Sequence, residues 1–142
     1  MRLATVVAAC LFLSAAIYST ANAQAVKARI AVTSLRPSKL RIDLELLPTN
    51  VLSFRNSYGS ALGLAERIEL IQAGNAGADV PVRKRGPGEF ESNSRFARVS
   101  YYVHVTEPER PGHLAQVSWV NTDHGVLMLA DLLPLARNEA GA

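Results

Sequence analysis

The sequence predicts an all-β domain, an antiparallel β-sandwich of about six to eight short strands behind a cleaved signal peptide. Three observations carry that expectation. Several segments alternate apolar and polar residues with period two, the mark of a strand with one buried face. Clusters of Gly, Pro, Asn and Asp separate those segments at the spacing antiparallel turns require. The opening residues, MRLATVVAACLFLSAAIYSTANAQA, have the layout of an export signal.

In that opening segment Arg2 gives a short positive region, and Leu3 to Tyr18 is nearly free of polar side chains. Ala21-Asn22-Ala23 then supplies the small-x-small pattern that signal peptidase accepts, so cleavage is expected before Gln24. The competing reading is a membrane anchor, but a spanning helix needs about 20 apolar residues and Leu3 to Tyr18 falls short. VAAC, ending at Cys10, resembles a lipidation site, yet cutting there leaves too little apolar chain to engage the export machinery. Two segments follow: residues 1–23 as signal peptide and residues 24–142 as one β-domain, exported to the periplasm or secreted.

The chain has 142 residues, formal net charge +3 and a single cysteine, Cys10. After cleavage no thiol remains for a disulfide, a nucleophile or a thiolate metal site. The charge balance points to no particular partner. VRKRGPG (82–88) is basic but short and reads as a solvated loop; nucleic-acid binding needs a wider basic face with stacking aromatics.

In chain order, KARIAVTSL (27–35) is a weak alternator and KLRIDLELL (39–47) a strong one. The latter sets Leu40, Ile42, Leu44 and Leu46 against Arg41, Asp43 and Glu45. SYGSALGLAERIEL opens a single helical turn around Ala61, Leu64 and Ala65, and ERIELIQ (66–72) continues as a strand. ARVSYYVHV (97–105) turns Val99, Tyr101, Val103 and Val105 inward and Arg98, Ser100, Tyr102 and His104 outward. LAQVSWVN (114–121) reads as a further strand. Turns are expected at RPSK (36–39), LPTN (47–50), AGNAGADVP (73–81), RGPGE (85–89) and EPERPGH (107–113). GVLMLADLLP (125–134) shows neither period and reads as an inner strand, with Asp131 capping its corner. Pro134 ends the pairing, because it has no N–H to donate, and LARNEAGA is too short and polar for another core element. Apolar residues left at the edge of a small domain mark an interface.

Catalytic motifs are missing. There is no H-E-x-x-H to place two imidazoles and a carboxylate around zinc, and no G-x-S-x-G, since Gly59 directly precedes Ser60. His104, His113 and His124 stand apart; a site from His113, Asp123 and His124 is the remaining metal option, against a plain reading of both histidines as turn residues. Any two carboxylates can meet in a cleft, but Asp43 and Glu45 beside Arg41 read as a solvated face. The chain is therefore expected to be non-catalytic, with no metal or cofactor of its own.

Four blocks carry a resemblance to a known family: SFRNSYGSALGLAERIEL (53–70), GPGEFES (86–92), ARVSYYVHV (97–105) and VSWVNTDHGVLMLADLLP (117–134). In this order they resemble the N-terminal β-domain of the M61 metallopeptidases, the glycyl aminopeptidase group, from about Ala28 to Pro134. That resemblance implies a non-catalytic module preceding a thermolysin-like H-E-x-x-H zinc domain, in enzymes that remove small N-terminal residues. The sequence departs from the family pattern in having no catalytic domain, so no zinc ligand and no peptidase activity carry over. Two functions follow. One is a truncated or split M61-type N-terminal domain that scaffolds a catalytic domain and walls its substrate cleft. The other is a stand-alone exported module that binds a peptide or protein partner, by strand addition or as a homodimer. Under either, the expected contact residues are Arg55, Tyr58, Trp119, His124 and Asp131; the plain alternatives are Trp119 as core, Tyr58 as loop packing and Asp131 as a turn cap. No nucleic acid is expected as partner, and no membrane after signal cleavage.

Overall fold

The computed structural model describes residues 27–139. The expected signal segment, with Cys10 in it, lies outside them. Among the described residues no helix is long and apolar enough to cross a membrane.

The frame is a pair of long antiparallel strands, β2 (Ser38–Ser53) and β8 (Glu89–His104), each 16 residues. β1 (Lys27–Leu35) flanks one end of β2, and β5 (Ile68–Asn75) with β6 (Ala78–Val80) flanks the matching end of β8. At the other end β11 (Leu135–Arg137) lies on β2 and β7 (Arg83–Gly86) lies on β8. All seven strands form one antiparallel sheet, which is the all-β class the alternation predicts. Leu40, Ile42 and Leu44 of β2, with Val99, Tyr101 and Val103 of β8, are at most 3% exposed. Leu46, like the four expected inward residues of 97–105, is buried too.

LPTN differs from expectation. Instead of reversing the chain it sits inside β2, where the register with β8 slips between Glu45 and Thr49 and again between Thr49 and Val51. Pro48 has no N–H for the ladder, and four residues of β8, Ser92–Arg95, are looped out opposite. The sheet bends here and curls on itself. Phe54, just past the bend, consequently packs edge-on against Tyr101 with ring centroids 5.0 Å apart, and against Phe90 at 5.7 Å. The two layers are thus halves of one curled sheet. Of the remaining expected turns, AGNAGADVP narrows to Ala76-Gly77, its flanks being the end of β5 and the whole of β6, while Pro87-Gly88 joins β7 to β8. Arg83–Gly86, read as loop, is strand, and its Arg83 and Arg85 face Glu91.

The larger departures lie beyond residue 110. Of LAQVSWVN only β9 (Trp119–Val120) is extended. Pro111–His113 forms a 3₁₀ turn, and Gln116 and Val117 both donate backbone N–H groups to the His113 carbonyl, so the segment coils. The apolar run is not an inner strand: it divides into β10 (Gly125–Val126), paired with β9, and one helical turn, α1 (Leu129–Leu132). Leu132 alone of that run is fully buried, and its carbonyl accepts the Tyr101 hydroxyl at 2.7 Å. Pro134 does not end the pairing either. It only precedes β11, where its missing N–H costs nothing. The polar tail is fastened by the β11 ladder on β2, with Ala136 against the core, and by side chains: Arg137 to Glu89 at 2.8 Å, Arg85 to Glu139 at 2.6 Å, and mutual Asn50–Glu139 bonds at 2.9 Å.

Candidate functional site

A second, small core holds one corner of the molecule. The loop after β2 makes a tight hairpin of β3 (Ser57–Tyr58) and β4 (Ala61–Leu62), followed by a 3₁₀ turn over Leu64–Arg67. Ala61 and Leu64 pack with Val117 and Trp119, with Leu114 alongside. Gly59 takes φ +57° in the hairpin turn, and a Cβ there would lie 2.9 Å from the Gln116 amide oxygen. That oxygen accepts from the Ser60 N–H at 3.3 Å and the Ser60 hydroxyl at 3.2 Å. The corner is therefore two loops latched together, one from the first resemblance block and one that runs from Leu114 into the last.

The predicted residues come together in pairs. The Arg55 guanidinium lies over the Tyr58 ring, 5.0 Å from its centroid, on the exposed side. Trp119 is buried, donates Nε1–H to the Leu114 carbonyl at 2.8 Å, and meets the His124 ring edge-on at 5.2 Å. His124 itself is exposed in the β9–β10 turn. Asp131 is 5% exposed and sits beneath the corner. One of its oxygens pairs with Arg67, and the other accepts the Ser118 N–H at 2.6 Å. Arg67 also donates to the Leu64 and Ser118 carbonyls, while Met128 N–H donates to the Ser118 hydroxyl at 2.8 Å. Asp131 thus caps backbone as expected, but it caps Ser118 rather than its own corner.

Around this latch the surface is apolar. Leu62 is 79% exposed, Leu129 59%, Leu127 48% and Val126 37%. Sequence reading places the apolar run here but misses Leu62, because an exposed leucine in a two-residue strand carries no pattern. It misses Arg67 as well, since its partner lies 64 residues away.

Among the described residues, the one nucleophile-like contact in the corner is Ser60 Oγ to His113 Nε2, 3.0 Å. No carboxylate among the described hydrogen bonds orients His113, and Ser60 also engages Gln116, so the contact serves as part of the latch. Among the described residues no three His, Cys, Asp or Glu side chains gather to hold a metal ion; His113, Asp123 and His124 are not brought together.

The opposite, solvent face of the sheet carries a different surface. Register sets Lys27, Glu45 and Arg98 in one row, and Arg29, Asp43 and Ser100 in the next. They line a shallow polar concavity of about 570 Å³. Farther along, Glu69 accepts from Lys39 and, at 2.9 Å, from His104. The Lys39 bond first, and then His104, hold the Glu69 carboxyl below its ordinary range. The Asp43 hydrogen bond likewise raises Arg41.

No family model matches the chain, and no curated protein does. Among solved structures, the described fold is similar to part of an aminopeptidase N family protein from Idiomarina loihiensis, with TM-score 0.63 and 16% identity. The match covers 79% of this chain and 20% of that one. It shows that the curled antiparallel sheet occurs as one segment of a much longer chain.

Proposed function

We propose that this chain is the non-catalytic N-terminal domain of an exported M61-like zinc aminopeptidase, and that it scaffolds the catalytic domain. The carrying observation is the corner surface. Leu62, Val126, Leu127 and Leu129 stand exposed on loops that the small core and the Arg67–Asp131 pair tie to the sheet. Large apolar side chains left exposed on a small domain mark a contact with further protein. The fold match supports the reading, because the same sheet occupies 20% of a chain described as an aminopeptidase N family protein. Zinc would belong to the catalytic domain, with this domain packed beside it and walling its substrate cleft. Of the expected contacts, Arg55, Tyr58 and His124 supply the polar rim, whereas Trp119 and Asp131 act from beneath by holding the loops.

The test adds the full chain to the catalytic portion of an M61-like peptidase that lacks its own N-terminal domain. Co-elution on gel filtration is expected, and Leu127→Asp with Leu129→Asp abolishes it. Absence of any complex, or a complex indifferent to both substitutions, overturns the proposal.

A further inference from the structure

The concavity on the solvent face of the sheet is separate from the apolar corner, none of whose core residues lines it. At about 570 Å³ it has the size of a small-ligand site, which ranges over about 300–1,000 Å³. Register fixes what surrounds it, because cross-strand partners share a face. One row runs Lys27, Glu45, Arg98, Gly74, Asp79, and the next runs Arg29, Asp43, Ser100, Gln72. Leu44, Ala73 and Val99, between those rows, belong to the core on the other face.

Most charges on this face are satisfied within the chain. Lys27 pairs with Glu45 at 3.3 Å, Arg41 with Asp43 at 3.0 Å, and Glu69 with Lys39 and His104. Three around the concavity are left over. Among the described residues Arg29 and Asp79 enter no ion pair, and Arg98 spends one N–H on the Asn75 carbonyl, which leaves most of its donor fork open. In the row between Arg98 and Asp79 stands only Gly74. A Cβ there would lie 2.7 Å from the Ala78 carbonyl oxygen, so no side chain can fill the gap.

The left-over charges have a fixed spacing. Arg98 and Asp79 are two strand spacings apart, roughly 10 Å at the backbone, and Arg29 lies two strands farther on. An extended peptide advances about 3.3 Å per residue, so about three or four residues join the acid at one end to the guanidiniums at the other. A free amino acid, with both charges on one carbon, is too short.

We propose that the concavity binds a short unblocked peptide, laid across the strands with its ammonium at Asp79 and its carboxylate between Arg98 and Arg29. The charged ends are recognised by charge-assisted hydrogen bonds, with Ser100 and Gln72 beside the peptide backbone. Asp43 and Glu45 do not repel the carboxylate, because Arg41 and Lys27 neutralise them.

Tetraglycine is titrated into the isotope-labelled full chain and followed by two-dimensional amide NMR. Saturable shifts are expected at Gly74, Gly77 and Ser100. Asp79→Asn and Arg29→Gln, neither of which breaks an ion pair among the described residues, each weaken binding about fivefold with an unchanged far-UV circular dichroism spectrum. Acetylating the peptide's amine weakens it as much and makes Asp79→Asn silent. The proposal is overturned by an absence of shifts at millimolar peptide, by shifts confined to other residues, or by binding indifferent to both substitutions. Acetate or glycine acting as well as tetraglycine also overturns it, since the face then attracts only a simple ion.

Discussion

Replacing Asp131 by asparagine destabilises this domain by about 3 kcal/mol. Asp131 presents two acceptor oxygens to two donors, Arg67 on one side and the Ser118 N–H at 2.6 Å on the other. Asparagine keeps the shape but has one acceptor and one NH₂ group, so in either orientation a donor faces a donor. The side chain is 2% exposed and water does not compensate. Breaking a buried ion pair costs about 3–5 kcal/mol. Arg67 is 20% exposed and keeps its bonds to the Leu64 and Ser118 carbonyls, which sets the cost at the lower end. Against a total of about 5–15 kcal/mol for a domain, that loss lowers Tm by roughly 10 °C. Trp119, the only tryptophan in the chain, adjoins Ser118. Urea unfolding followed by its fluorescence and by circular dichroism therefore reads the corner and the sheet separately. A variant within about 0.5 kcal/mol of the parent, the ordinary range for surface changes, refutes the latch.

Three further outcomes follow from particular contacts. Tyr101→Phe loses the bond to the Leu132 carbonyl, leaves that acceptor buried, and costs about 1.5 kcal/mol in urea unfolding; burial pushes the phenol pKa up, so Tyr101 remains a donor at alkaline pH. An unchanged midpoint would show that the bond contributes nothing. Gly88→Ala costs about 2–3 kcal/mol, because Gly88 has φ +75° and its Cβ would lie 2.6 Å from the Phe54 carbonyl oxygen; equal stability would sink the assignment of that turn. Glu69→Gln is less stable than the parent at pH 7. Since the folded Glu69 pKa is depressed, its contribution is full above the ordinary carboxyl value of 4.5 and is lost as pH falls through the folded value. Urea midpoints of the two proteins therefore converge as pH falls below the folded Glu69 value, and a gap that persists into that acid range contradicts the assignment.

The sheet was legible where one face of a strand meets solvent. In β2 and β8 the alternation of Leu40 to Leu46 and of Val99 to Val105 identifies strand and core together, because a pleated strand buries every second side chain. The bend was not, since Pro48 and Asn50 in a strand look like a turn until the looped-out residues opposite them are seen. Beyond residue 110, side-chain bonds override local pattern: Ser118 and Asp131 fold the apolar run into a helical turn, and Thr49 holds the Arg137 carbonyl from 88 residues away. The Trp119–His124 contact was within reach of sequence because a short hairpin brings them together. Arg67–Asp131 was not, because no local spacing signals a pair formed only when the sheet curls.

The proposed place of this domain in a larger peptidase is tested most directly by the native species that carries this sequence. Cell extract is run on native and denaturing gels and probed with an antibody raised to residues 27–139, with aminopeptidase activity assayed in the same native lanes. A native band far larger than the chain's 15.3 kDa, co-migrating with zinc-dependent aminopeptidase activity, is expected. A native band at the mass of the chain or of its dimer, with no activity travelling with it, would contradict it.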